Sequence, residues 1–517
     1  MNVDTWFGGG TAFTAVDYGV VALCLLALLA IGWATGRGET DTNGFFLGRR
    51  RIPWWAACLS FVATEISAVT IVSVPATGFR ENWQYAQYFI GSVLARVVIA
   101  ALFIPAFYRI NCTTIYEYLG RRFGPVTQVA GSAFFFVTRL LASGVRLMAA
   151  SMAVAVLLGW HIVLAILLFT LIGIAYIAYG GVRAVVWTGV LQGATFIVGG
   201  LATLWFLLSQ IPGGAASVME TAGAAGRLSL WNWGPQPGDP AFWRTILTDP
   251  NVLWLAILNG FFFSAAAFGT DHDLMQRLLT VETRRASQRT MLMTSIGSFA
   301  VLVIYLGIGS CLFAFYAQHP ELPLPAKLDG IYPHFVATVM PALLRGLVLA
   351  AVVMASIDSP LSSLAASFVI DIYRPWLRSG ASERHYLRIS RAAVVGFGLV
   401  LAAIAYGFSF FERILWLAFK IGGVTFGSLL GVFLFGLLTR RRADRTNVAA
   451  MLLWAVVNLV LLVLSERGVV PIAWSWLVIF GTLGTFAVAY LLGTPGETLR
   501  DGGVQSPSRA SEAVLVE

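Results

Sequence analysis

The sequence predicts an all-α polytopic membrane protein of about thirteen transmembrane helices. Composition is the first reason: 58% of the 517 residues are hydrophobic and only 11% are charged, with a mean hydropathy of +0.80. A soluble domain carries about 25% charged residues, so this chain cannot cover itself with water-compatible surface. The second reason is the recurrence of apolar runs of about 20 residues, the length that crosses a bilayer core. The third is that arginines collect in alternate loops, as in membrane proteins that keep positive charge on the cytoplasmic side.

In chain order the apolar runs fall at 17–35, 53–78, 83–110, 126–158, 160–180, 184–208, 251–271, 290–317, 343–372, 389–408, 412–438, 446–466 and 469–493. Met1 to Val16 has no cationic stretch before the first run, which reads as a retained helix and not a cleaved signal. Arg49-Arg50-Arg51, Arg121-Arg122, Arg284-Arg285, Arg384 with Arg388, and Arg440-Arg441-Arg442 all lie on one side of this ladder. That side is expected to be cytoplasmic, with the N-terminus outside and the C-terminus inside the cell membrane. The net charge of +9 follows from this asymmetry, and nucleic acid is not an expected partner. The four cysteines show no disulfide or metal spacing.

Two runs are imperfect as helices. The second carries Thr64, Glu65, Ser67, Thr70, Ser73 and Pro75, and the seventh runs from Asn259-Gly260 through Ser264 to Ala267 and Gly269. Counted from the second run, they are the first and sixth of ten. Interrupted spans at matching positions of two halves point to an inverted-repeat transporter with a binding site at mid-membrane. Kinks in ordinary packed helices are the alternative.

The residues that sharpen this reading are Phe46-Leu47-Gly48-Arg49 before Pro53-Trp54-Trp55, and Thr114-Ile115-Tyr116-Glu117-Tyr118-Leu119 before Arg121-Arg122-Phe123-Gly124. Further along come Gly180-Gly181-Val182-Arg183 leading to Trp187-Thr188, then Gln276-Arg277, Met354-Ala355-Ser356-Ile357-Asp358-Ser359, and Ile370-Asp371-Ile372-Tyr373. In this order, from about Asp17 to Leu438, the chain resembles the sodium:solute symporter family. The resemblance implies a LeuT-like core of two inverted five-helix repeats, 53–208 and 251–438. A leading segment and helix (1–35), an extracellular loop (209–250), two trailing helices (446–493) and a disordered cytoplasmic tail (494–517) complete the expected layout.

The resemblance also implies sodium as the coupling ion, held by the carbonyls of Ala63, Ile66 and Val352 and the hydroxyl of Ser356. A broken helix frees carbonyl oxygens, and a hard cation uses such ligands. Two departures concern this ion: Ala355 stands where a hydroxyl residue is usual, and Gly189 where an aspartate is usual. Asp358 lies three residues after Ala355 and Ser359 four after, so both share its helical face. Asp358 is therefore expected to supply the missing carboxylate, with Ser359 beside it.

Other departures concern the solute. The positions that contact sugar in sugar-carrying members are here Glu65, Thr70, Ser264 and Ala267, which argues against a familiar sugar carrier. Arg96 and Arg146, with Arg139 a heptad before Arg146 on about the same face, and Lys420 in the outer part of the eleventh run outnumber Glu65 and Asp358. An anionic or zwitterionic solute, carboxylate- or amino-acid-like, would redress that excess, and guanidinium suits a carboxylate. The candidate solute contacts are Glu65, Thr70, Gln87, Tyr88, Arg146, Ser264 and Lys420. Arg96 reads as structural, and Arg139 and Arg146 as either solute contacts or helix bridges. Asp271, His272 and Asp273 read as a cytoplasmic helix terminus in preference to a metal site, and Gly423, Gly427 and Gly431 as a close-packing stripe.

The expected function is sodium-coupled symport of a small organic solute by alternating access. Proton-coupled or ion-independent transport, and a transport-deficient membrane sensor, are the alternatives. No phosphate loop or nucleophile elbow is present, so an enzyme is not expected.

Overall fold

A computed structural model describes residues 13–36, 40–158, 160–325, 330–357, 360–410 and 414–495. Helices dominate, and no strand occurs among the described residues beyond isolated bridges. The principal ones are α1 (Ala15–Thr35), α2 (Trp54–Glu65), α3 (Ala68–Arg80), α4 (Gln87–Val98), α5 (Pro125–Leu158), α6 (Ile162–Gln210), α7 (Leu253–Gly269), α8 (His272–Leu279), α9 (Arg284–Gln318), α10 (Ala342–Ile357), α11 (Leu361–Ser367), α12 (Glu383–Phe408), α13 (Ile414–Leu438), α14 (Asp444–Glu466) and α15 (Ser475–Leu492).

Among the described residues, nine helices are long and apolar enough to cross a membrane, and the α2–α3 pair, bent by 64°, makes a tenth. This is fewer than the thirteen read from the sequence, for identifiable reasons. The runs 160–180 and 184–208 are joined in α6, kinked at Gly181. The apolar stretches Ala342–Ala355 and Gly422–Leu438, in the ninth and eleventh runs, are shorter helices. Gly181 has φ +54°, and a Cβ there would meet the Phe45 carbonyl oxygen at 2.3 Å, so this corner requires glycine.

The second run is interrupted as its polar residues suggest. α2 ends at Glu65, Ile66 turns to extended geometry (φ −78°, ψ 127°), and Ser67 starts α3 with a capping box to Thr70. In the seventh run the break lies elsewhere than read. Asn259 to Gly269 is unbroken helix, and the chain leaves helical geometry at Thr270–Asp271 before Asp271 caps α8.

Two groups of helices emerge from the packing. One contains α2, α3, α4, α7 and α9: α4 and α7 touch backbone to backbone at Gly91 and Gly260, and α9 lies along α2 and α3. The other contains α5, α10, α12 and the first half of α6, where Ile174 fills the space over Gly398. The second half of α6 lies against α2, with Gly189 on Ser60 and Gly193 on Leu59. Outside both, α13 and α15 meet along the glycine stripe: a Cβ on Gly427 would come within 2.7 Å of the Val478 carbonyl oxygen, and one on Gly431 within 2.7 Å of that of Thr482.

Candidate functional site

The α2–α3 break is where backbone and side-chain chemistry concentrate. Because α2 stops at Glu65, the carbonyls of its last turn lose intrahelical donors. Arg146 of α5 takes up one of them, donating Nη1 to the Thr64 carbonyl oxygen at 3.3 Å. Ala63, Ile66 and Ala355 are buried in one apolar cluster, against which Val352 packs. The break and α10 therefore share a wall, and Gln192 of α6 donates to the Met354 carbonyl oxygen on that wall at 3.2 Å.

The donor set suits a hard monovalent cation in part. Carbonyl oxygens at a helix end are appropriate ligands, and Ala63 and Ile66 supply them at the break. Ser356 belongs to the last turn of α10, while its side chain, that of Lys420, and Asp358 and Ser359 altogether lie outside the described residues. At Gly189 the structure has no room for a carboxylate: a Cβ would stand 2.4 Å from the Ser60 hydroxyl oxygen and 3.0 Å from its Cβ.

Two buried charge clusters flank the break. In the first, Arg96 of α4 reaches both Glu65 carboxylate oxygens, at 2.7 and 2.6 Å. Its Nε donates to Thr294 at 3.2 Å, its Nη1 to Ser92, and Ser298 donates to Glu65 at 2.6 Å. Ser264 of α7 continues the chain, donating to Ser92 at 2.8 Å, with the Tyr88 hydroxyl 3.5 Å from Ser264. Glu65, Tyr88 and Ser264 are thus brought together. Thr70 instead serves the Ser67 capping box. Gln87 is buried, donating to the carbonyls of Gln84 and Asn251 and accepting from the Asn232 amide, so its amide holds the loop between α6 and α7 to α4.

In the second cluster, Arg139 of α5 pairs with Asp271 at 2.6 Å and with Asp273 at 3.5 Å. Asp273 also meets Arg277 at 3.1 Å and accepts from Ser363 of α11 at 3.2 Å. Arg277 reaches across to Ser60 of α2 at 3.2 Å. Asp271, His272 and Asp273 form a helix start, as read from the sequence, and all three are buried. Arg139 bridges helices, through the carboxylates of Asp271 and Asp273. The described residues hold no cluster able to bind a metal through His, Cys, Asp or Glu. Ser60, Ser298 and Gln192 were not singled out from sequence, nor was the pairing of Asp273 with Arg277, for which the i,i+4 spacing was the available signal.

Comparison with known proteins agrees with this architecture. The family model described as the sodium:solute symporter family matches residues 45–453. The sodium/sialic acid symporter NanT of Aliivibrio fischeri is 30% identical over 491 residues, 93% of each chain. The sodium/sialic acid symporter SiaT of Proteus mirabilis is 28% identical over 471 residues, covering 88% of this chain and 90% of that one. The human sodium-coupled monocarboxylate transporter 1 is 28% identical over 448 residues, 84% of this chain and 71% of that one. A solved substrate-bound, outward-open Na+-coupled sialic acid symporter superposes with a TM-score of 0.80 at 23% identity, over 93% of this chain and 100% of the other. The fold is the LeuT-like inverted-repeat fold, and sodium is the coupling ion of these relatives and of the family. The protein is a multi-pass membrane transporter of a small solute, and not an enzyme. Its chain belongs to the sodium:solute symporter family.

Proposed function

We propose that this sodium-coupled symporter carries a small organic solute bearing a carboxylate, and that the solute's carboxylate meets Arg146 beside the α2–α3 break. The observation that carries the reading is the seat of Arg146. Its guanidinium is anchored on the Thr64 carbonyl oxygen, at the point where α2 stops. Guanidinium binds a carboxylate bidentately and stays charged at all working pH values. Sialic acid and monocarboxylates, for which the three relatives above are named, are carboxylates.

In this reading Ala63, Ile66 and Val352 supply carbonyls and Ser356 a hydroxyl to sodium, with Asp358 and Ser359 adding the oxygens that Ala355 and Gly189 lack. Residues 53–208 and 251–438 form the two repeats, and 446–493 the trailing helices. The N-terminus faces outside and the C-terminus the cytoplasm of an inner membrane, as the arginine-rich loops favour. Tyr88 and Ser264 line the solute path beyond Glu65; Lys420 marks its outer end.

The test is uptake by proteoliposomes of N-acetylneuraminate, lactate and proline under an inward sodium gradient, repeated in choline buffer with an imposed proton gradient. Sodium-driven uptake of one of the carboxylates is expected. Arg146→Gln is expected to raise its apparent KM by about 10-fold or more, the worth of a charged hydrogen bond. Asp358→Asn is expected to abolish sodium stimulation. Sodium dependence unchanged in Asp358→Asn would remove Asp358 from the ion site, and uptake driven equally by protons in choline would replace sodium by proton coupling.

A further inference from the structure

Between α11 and α12 the chain turns back on itself, on the side of the arginine-rich loops. The helical stretch Phe368–Leu377 continues beyond α11, Gly380 takes φ +77° to reverse the chain, and Ser382 caps α12. A buried tyrosine fixes this turn. The Tyr386 hydroxyl donates to the Arg378 carbonyl oxygen at 2.8 Å and accepts from the Ala381 amide at 3.1 Å. The Tyr373 hydroxyl meets His385 Nε2 at 2.9 Å, and the Arg374 guanidinium lies over the Tyr386 ring at 5.0 Å. The turn is a braced corner and not a loose loop.

A cavity of about 540 Å³ opens at this corner, lined by Arg378, Arg384, Arg388 and His385 with Ser379 and Ser382. Arg384 and Arg388 stand four apart on one face of α12, a spacing at which like charges repel. Among the described residues, none of the three arginine side chains has an ion pair or a hydrogen bond. The neighbouring carboxylate, Glu383, is engaged elsewhere. It accepts from the Thr42 amide and hydroxyl at 3.2 and 2.7 Å and lies 3.8 Å from Arg374. Three guanidinium groups therefore share one cavity without a counter-charge. An anion relieves their repulsion, and the planar guanidinium fork matches the oxygens of a phosphate.

The surroundings select the kind of phosphate. Beside the cavity Trp376 and Leu377 are 59% and 65% exposed. A soluble anion has no use for an exposed Trp and Leu next to its site. Trp instead favours the headgroup level of a bilayer, and arginines placed there attract anionic lipid. We propose that this corner binds the phosphate headgroup of an anionic phospholipid, clasped by Arg378, Arg384 and Arg388, with Trp376 and Leu377 seated in the interface beside it. Because α12 packs on α5 and the first half of α6, the bound lipid ties that helix group to the leaflet.

The experiment titrates dioctanoyl phosphatidylglycerol, dioctanoyl phosphatidylcholine and inorganic phosphate onto the purified full chain in neutral detergent. Bound adducts are read by native mass spectrometry. Phosphatidylglycerol is expected to bind about tenfold tighter, or more, than either of the others. Arg384→Gln with Arg388→Gln is expected to weaken it about tenfold or more and to leave phosphatidylcholine unchanged. Trp376→Ala, which keeps every charge, is expected to weaken phosphatidylglycerol about threefold and to leave inorganic phosphate unchanged. Arg284→Gln with Arg285→Gln removes two exposed charges from another loop on the same side and is expected to stay within about twofold of the wild type. Equal weakening by the two arginine pairs would reduce the effect to diffuse surface attraction and overturn the site. Equal binding of the two lipids by the wild type would do the same. Inorganic phosphate bound as tightly as phosphatidylglycerol would make the ligand a soluble anion and overturn the lipid assignment.

Discussion

The two buried charge clusters use the same chemistry and do different work. Arg96, Glu65, Ser92, Ser264, Thr294 and Ser298 all lie on α2, α4, α7 and α9, within one helix group. Arg139 and Ser363 lie on α5 and α11, whereas Asp271, Asp273 and Arg277 lie at or in α8, which follows α7. The first cluster can persist through any rigid rotation of one group against the other. The second bridges the groups and has to part if they separate on the side of the arginine-rich loops. Bistable ion pairs at an interface are what a rigid-body transition needs, while pairs inside one body only hold its shape.

The largest expected effects come from breaking one partner of each cluster. Arg139→Gln strands the buried Asp271 carboxylate, which costs about 3–5 kcal/mol, and Arg96→Gln leaves the part-exposed Glu65 without its guanidinium. A lower unfolding temperature is expected for both. Only Arg139→Gln is expected to speed amide exchange across 270–280, because only it loosens the contact between groups, and Arg139→Gln with Asp271→Asn is expected to recover part of the lost stability. Equal exchange in the two single variants would erase the distinction.

A smaller effect is expected where the chain departs from its family at the ion site. Gly189→Asp would restore the carboxylate usual there, yet its Cβ meets Ser60 at 2.4 Å, and Ser60 accepts from the Arg277 Nε. Overpacking of this kind costs about 1–3 kcal/mol. The new carboxylate would lie next to Arg277 and is expected to pair with it, extending the inter-group cluster. Lower thermal stability with no gain in sodium affinity is the expected result; sodium binding tightened more than about threefold would show that Arg277 does not compete.

Much of this was legible in the sequence for a plain reason: hydropathy and loop charge are local properties. The spans, the polar interruption at Thr64–Thr70 and the glycine stripe of α13 each reside in a single segment. The pairings were not legible. Arg139 with Asp271 and Ser60 with Gly189 join residues more than a hundred positions apart, and nothing local marks them. The charge count read from the sequence placed Asp271 and Asp273 outside the membrane core, because they follow an apolar run. In the fold they are buried and counter Arg139 and Arg277, so the excess of positive charge is smaller than the sequence suggested. Gln87 misled in the opposite sense: its position at the outer end of a span resembles a pocket residue, and only the loop folded over it shows what its amide holds.

The smallest expected effects separate the clusters most cleanly. Ser298 and Ser363 each donate one hydroxyl to a carboxylate, Ser298 to the part-exposed Glu65 within a group and Ser363 to the buried Asp273 between groups. Ser363 also donates to the Pro360 carbonyl oxygen at 2.8 Å, so its bond to Asp273 is shared and weaker. Alanine at either position is expected to cost about 0.5–1.5 kcal/mol of stability, too little to unfold the protein. The kinetic consequences are expected to diverge. Ser298→Ala removes a donor to Glu65 and, if Glu65 contacts the solute as proposed, is expected to raise KM with turnover unchanged, the mark of lost ground-state binding. Ser363→Ala loosens a contact between the groups, so it is expected to change turnover with KM unchanged. A shift in KM from Ser363→Ala, or in turnover alone from Ser298→Ala, would mean that the two clusters form one cooperative unit despite lying on different sets of helices.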